Sequence, residues 1–222
     1  LPNSVTSIEN ATFSGCTGLK ELTLPKRLKR IGYEAFGGCT GLTKLTLPKS
    51  VTHIDTFAFD VNGLEKITVE SGNSCYDSRD NCNSIIDTET KTLIIGCKNS
   101  LIPNSVTSIG KYAFYNCKGL TELTLPNSVT LIDNASFKGC SGLKELTLSD
   151  SLESIGEYAF RECSGLKELT LPDSLESIAD AAFQRCSGLK ELTLPNSVKS
   201  IGGYAFSECS GLTKLTLPDS LE

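Results

Sequence analysis

Residues 119–140 read GLTELTLPNSVTLIDNASFKGC, and residues 142–163 read GLKELTLSDSLESIGEYAFREC. Laid over one another at a spacing of 23, they agree at the glycine, at three leucines, at two aliphatic positions in the middle, and at the closing phenylalanine and cysteine. Working outward in both directions, the unit GLxxLxLPxSVxxIGxxAFxxC accounts for most of the chain. Leu22, Leu45, Ile67, Leu123, Leu146, Leu169, Leu192 and Leu215 mark one column; Ile8, Ile31, Ile54, Ile109, Ile132, Ile155, Ile178 and Ile201 mark another. All 8 prolines fall at one repeat position, where a single copy has Ser149 instead, and of the 9 phenylalanines only Phe57 stands outside one column. A fixed period carried by so many residue types at once is the signature of stacked structural units.

Side-chain period sets the shape of each unit. In Leu22-Thr23-Leu24 and its copies apolar and polar residues alternate, which makes a short strand with leucines inward and threonines outward. Proline ends that strand, SVxxI supplies a second extended piece, and GxxAFxxC is expected to close the coil as a helical or 3₁₀ turn. The glycine column that includes Gly41, Gly142 and Gly165 asks for a tight turn or a close approach of two backbones. One coil offers too few apolar side chains to offset the chain entropy of its ordered residues, so coils must stack. The sequence therefore reads as a repeat solenoid over residues 1–222: a right-handed coil of short parallel strands with extended and helical or 3₁₀ return segments, in about nine coils of 23 residues. Its ends fall inside motif copies, LPNSV and LPDSLE, so further coils or domains are expected beyond them.

The period fails in one region. Leu42 to Leu64 spans 22 residues and Val69 to Ile102 spans 33, so residues 70–101 carry an insertion. Within it Ile85-Ile86 and Leu93-Ile94-Ile95 flank the polar run 87–91, the pattern of a β-hairpin. With the turn centred between Glu89 and Thr90, Cys82 and Cys97 fall opposite each other, and a disulfide between them is one expectation from that register. Of the 10 cysteines, Cys16, Cys39, Cys117, Cys140, Cys163, Cys186 and Cys209 form a repeat column. Side chains stacked in a column point the same way, so these are read as buried free thiols filling small apolar gaps. No CxxC pair exists and His53 is the single histidine, so neither a metal nor a cofactor is expected.

Charge narrows the function. The net charge is -5, and it is uneven: residues 1–111 carry 12 basic and 11 acidic side chains, residues 112–222 carry 9 and 15. That balance sets aside generic nucleic-acid binding, and the one basic cluster, Lys26, Arg27, Lys29 and Arg30, reads as a solvated face. No apolar run approaches the roughly 18 residues of a membrane span. His53 sits where Ser7, Ser108 and Ser154 stand in other copies, and the carboxylates Asp173 and Glu176 recur as Asp150 and Glu153, so both read as repeat decoration. No enzyme is expected. The candidate binding face is the outward side of the leucine strands: Thr23, Thr46, Thr68, Thr124, Thr147, Thr170, Thr193 and Thr216, beside Lys20, Lys44 and Lys66.

The motif LxxLxLPxSVxxIGxxAFxxC resembles the BspA-like (Treponema-type) leucine-rich repeats, and the inserted NCNSIIDTETKTLIIGCKNSLIPNSV is similar to hairpin-bearing inserts of such proteins in gut Bacteroidetes. The resemblance implies a non-enzymatic interaction or adhesion module of a cell-surface or secreted bacterial protein. Its partners would be protein or glycan, host matrix proteins among them. Two alternatives stay open: a structural spacer that presents another domain, and a surface protein of a parasitic protist, where similar repeats occur.

Overall fold

The structure, a computed structural model, describes residues 1–218; residues 219–222 of the expected domain lie outside that range. It is a solenoid of about 9 turns, about 23 residues apart, with almost no helix. Residues 119–140 show how a coil builds itself. Leu120, Leu123, Leu125, Val129, Ile132, Phe137 and Cys140 are buried, while Glu122 and Thr124 between the leucines are exposed. The strand Glu122–Thr124 lies parallel to Glu145–Thr147, each residue beside its own repeat equivalent. Beyond it the Val129 amide donates to the Pro126 carbonyl at 3.0 Å, a tight turn into the second strand, Leu131–Ile132. Ser128 Oγ donates to Val106 O of the preceding coil at 2.6 Å, and Ser50, Ser174 and Ser197 repeat that bond at 2.7 Å, which explains the serine two residues after most of the prolines.

The two strand sides differ. On the isoleucine side Leu131–Ile132 is flanked by Ser108–Ile109 and Ser154–Ile155, and the pairing runs on through an 8-stranded sheet. On the leucine side the described strands pair only in twos. Proline follows most of the leucine strands and has no N–H to offer a neighbouring coil, which shortens the ladder there.

The return segment is neither α-helix nor regular 3₁₀ helix, contrary to the sequence expectation. Ala135, Phe137 and Gly139 donate their amides to Glu157, Ala159 and Arg161 of the next coil at 2.7–2.8 Å. Ser136, Lys138 and Cys140 donate three residues back within their own coil. Alternation of this kind forbids the successive local bonds a helix needs and creates a third inter-coil ladder instead. It places Ala135 at φ 54° and Gly139 at φ 78°, left-handed positions that recur down the array.

The interior is a file of like on like. Phe114, Phe137, Phe160, Phe183 and Phe206 stack with ring centroids 5.1, 5.2, 5.2 and 5.5 Å apart, no pair tilted by more than 12°. The cysteine column does more than fill space: Cys140, Cys163, Cys186 and Cys209 each donate Sγ–H to the carbonyl of a phenylalanine 26 residues upstream, at 3.0–3.1 Å. Glycine ahead of the leucines is required by contact between coils, since a Cβ on Gly165 would lie 2.5 Å from Ser141 O and one on Gly142 2.0 Å from Lys118 O.

The insertion is woven into this array. Tyr76–Asp77, Ile85–Asp87 and Thr92–Ile95 form an antiparallel meander whose last strand pairs parallel with Ser108–Ile109, placing Leu93 beside Ile109. Gly96 then makes to Ala113 O the bond that phenylalanine makes in other coils. No side chain fits there, because a Cβ on Gly96 would lie 2.2 Å from Phe114 Cε1. The phenylalanine file is therefore cut: Phe13, Phe36 and Phe59 on one side, Phe114 onward on the other. At the cut, the Phe59 amide and the Ile54 carbonyl find no hydrogen-bond partner among the described residues, while Tyr76 Oη accepts the Ile54 amide at 3.1 Å.

In the structure Cys82 and Cys97 stand as separate buried thiols, where the hairpin register suggested a disulfide. A β-bulge lies between them and the turn: Ile86 pairs with Leu93, but Ile85 pairs with Ile95, a shift by one residue. Beyond that shift Cys97 Sγ faces Asn83 O at 3.5 Å and Cys82 Sγ faces Ser84 O at 3.8 Å.

Candidate functional site

The outward face of the leucine strands gathers most of the candidate residues. Lys44 and Thr46 lie in register with Lys66 and Thr68, and the Thr46 and Thr68 hydroxyls are 3.1 Å apart. Thr124 stands beside Thr147 and Thr193 beside Thr216. Lys20, Thr23 and Thr170 fall on segments without strand pairing. Where the ladder lapses between residues 144–148 and 167–172, an open cleft of about 610 Å³ lies between the coils, lined by Lys144, Glu145, Lys167 and Glu168 among others.

The monotony breaks at the insertion. Ser100 occupies the place of the inward leucine and is buried; it donates Oγ–H to Asn83 O at 2.7 Å and accepts the Cys97 amide at 2.7 Å. Leu101 occupies the place of the outward threonine and is 67% exposed. It lies on the wall of a cleft of about 710 Å³ with Asn99, Asn104, Glu122 and Thr124. Lys98 Nζ bonds Glu65 Oε1 at 2.7 Å across the insertion, and that bond holds the Glu65 carboxyl below its usual range.

On another side of the coil an aromatic group spans the same junction. Phe57 meets Tyr115 edge to face at 4.8 Å, Tyr112 at 5.6 Å and Tyr33 at 6.0 Å, so it joins coils before and after the insertion. Lys138 lies over the Tyr115 and Tyr158 rings at 5.6 and 5.8 Å. His53 is exposed; its Nε2 is 2.7 Å from Asp55 Oδ1, and Arg30 bonds Asp55 Oδ2 at 2.7 Å. Burial acts to raise the Asp55 pKa but is outweighed by those two partners, so the net shift is downward.

A family model described as the BspA type leucine rich repeat region matches residues 1–92 and 92–213 in 6 copies. The chain belongs to the BspA-type leucine-rich-repeat family. No curated protein matches it. Among solved structures it is similar to a leucine rich cell surface protein of Faecalibacterium prausnitzii, with TM-score 0.85 and 31% identity over 98% of this chain and 58% of that one. It is also similar to the pneumococcal vaccine antigen PcpA, with TM-score 0.85 and 28% identity over 100% of this chain and 56% of that one. A leucine-rich repeat protein of Eubacterium ventriosum shares the fold, with TM-score 0.71 and 24% identity over 98% and 65% of the two chains. The chain thus spans 56–65% of the length of these structures.

Against the regular BspA-type columns, Leu101 is the residue that sequence reasoning missed. Its signal was present: residue 101 is 23 positions before Thr124, so a leucine stands in an otherwise threonine column, beside a serine in a leucine column. That reversal of polar and apolar was concealed by the insertion, across which the columns are harder to follow.

Proposed function

We propose that this BspA-type array is a non-catalytic protein-interaction module at a bacterial surface, and that its leucine-strand face is where a partner protein docks. The observation that carries the reading is Leu101, a large apolar side chain 67% exposed at the centre of a face otherwise built from threonine, lysine and glutamate. An apolar anchor within a polar rim is the composition of an interaction centre, because burying one such side chain supplies affinity while the rim excludes water. The named cell-surface protein of F. prausnitzii and the vaccine antigen PcpA support a surface setting. Adhesion to host matrix proteins is the activity to test.

Purified matrix proteins immobilised on a sensor are expected to capture the chain, and Leu101→Lys is expected to abolish capture while the circular dichroism melt stays unchanged. Capture by none of them, or equal capture of Leu101→Lys and wild type, would overturn the reading. The uniform columns Glu122, Glu145, Glu168 and Glu191 favour a second reading, a spacer. In that case, replacing the array with an unrelated solenoid of equal length would preserve the function of the whole protein.

A further inference from the structure

The junction that exposes Leu101 also opens a cleft at the corner between the isoleucine side and the return segment, away from the leucine face. Its volume is about 220 Å³. Ile54, Phe57, Ile94 and Ile95 supply apolar lining. Ile54 and Ile94 are partly exposed, although Ile31, Ile109 and Ile132 of the same column as Ile54 are fully buried. Three charged groups line it as well: Asp55, Asp133 and Lys111. The Lys111 ammonium has no carboxylate partner among the described residues.

The cleft exists because rungs are missing. Elsewhere the carbonyl of this isoleucine accepts an amide of the next coil, as Ile31 O does from Asp55 and Ile109 O from Asp133, but Ile54 O has no such donor. One free acceptor is therefore added to the Asp133 carboxylate, the Lys111 ammonium and the Asp55 carboxylate, whose two oxygens also bond His53 and Arg30.

We propose that this cleft binds one sugar ring of a glycan. Its apolar floor suits the C–H face of a pyranose, and its rim mixes acceptors with a donor, as hydroxyl groups that both donate and accept require. A simple anion would meet Asp55 and Asp133, and a simple cation would meet Lys111. An extended peptide would need a run of open backbone groups, yet the Ile54 amide is already taken by Tyr76 Oη. The site is independent of the leucine-strand face, so either can fail without the other.

The test is a nitrogen-15 NMR titration with the methyl glycosides of glucose, galactose, mannose, fucose and N-acetylglucosamine. At least one is expected to shift the amides of residues 54–57, 92–95 and Lys111. Lys111→Ala, an exposed change, and Phe57→Leu, which keeps an apolar side chain, are expected to weaken binding by roughly 2- to 10-fold. Leu101→Lys is expected to leave the titration unchanged. The proposal is overturned if no glycoside moves those amides, if shifts fall only on the leucine face, if Lys111→Ala titrates like wild type, or if a short peptide shifts them where the sugars do not.

Discussion

Residues 119–213 and the junction between Ile54 and Phe114 belong to one array, yet they differ in what ties one coil to the next. In the regular stretch each coil is held by the isoleucine ladder, by the return-segment ladder, and by a file of stacked rings. At the junction, Gly96 replaces a ring, Phe59 and Ile54 lose backbone partners, and the aromatic contacts of Phe57 bridge the gap instead. Repetition gives stability because each side chain meets its own copy; interruption gives the surface features that are not repeated, Leu101 and the cleft beside Phe57 among them. The division of labour is therefore between scaffold coils and a junction that carries specificity.

The largest expected effect lies in the ring file. Phe160→Ala removes a ring stacked on both sides and should lower stability by about 3–5 kcal/mol in denaturant titration. A loss below about 1 kcal/mol would mean that the file contributes little beyond area.

Next come the glycines, where the two regions should part. Gly165→Ala drives a methyl into backbone oxygens at 2.5 and 2.8 Å and should cost about 1–3 kcal/mol. Gly119→Ala meets the Lys98 side chain instead of backbone, its Cδ at 3.0 Å, and should cost under about 1 kcal/mol. Equal losses would erase the distinction between array and junction.

The thiols give a pH test. Burial pushes Cys117 up to about 12 and raises Cys140 and Cys163 well above their ordinary 9.0. The folded state then keeps protons that the unfolded state releases, so these thiols contribute fully below pH 9.0; the Cys117 contribution is lost as pH rises toward about 12, and those of Cys140 and Cys163 are lost above pH 9.0. The melting temperature should fall over that window, and Cys140→Ala with Cys163→Ala should flatten the fall while lowering stability at neutral pH. Cys16, at the first coil, is exposed, unlike the rest of its column, so within the native protein a thiol reagent should reach Cys16 and, more slowly, Cys75, and leave the other six column cysteines untouched.

The smallest effect sharpens the junction: Leu101→Lys should change stability by no more than about 0.5 kcal/mol, because the side chain already faces water. A larger loss would make Leu101 a packing residue and remove it from the binding argument.

What could be read from residues alone follows the physics of stacking. Columns of Ile, Phe and Cys announce that coils lie on one another, because only identical neighbours reward identical side chains. The return segment was not legible, since its left-handed positions are occupied by Ala11, Glu34, Tyr112, Ala135 and Tyr158 in place of a tell-tale glycine column. The thiols could be read as fillers but not as donors, for their acceptors lie a full coil away. The bulge at Ile85 and Ile86 shifts the hairpin register by one residue, and no residue type there marks it.

Amide hydrogen exchange tests the contrast between array and junction most directly. The Phe114, Phe137 and Phe160 amides, bonded to the next coil, should exchange only through openings that part the coils, whereas Phe57 and Phe59 should exchange at least about tenfold faster. Phe57 and Phe59 amides as slow as those of Phe137 and Phe160 would mean that the rungs are intact across the insertion, and the account of the junction would fail.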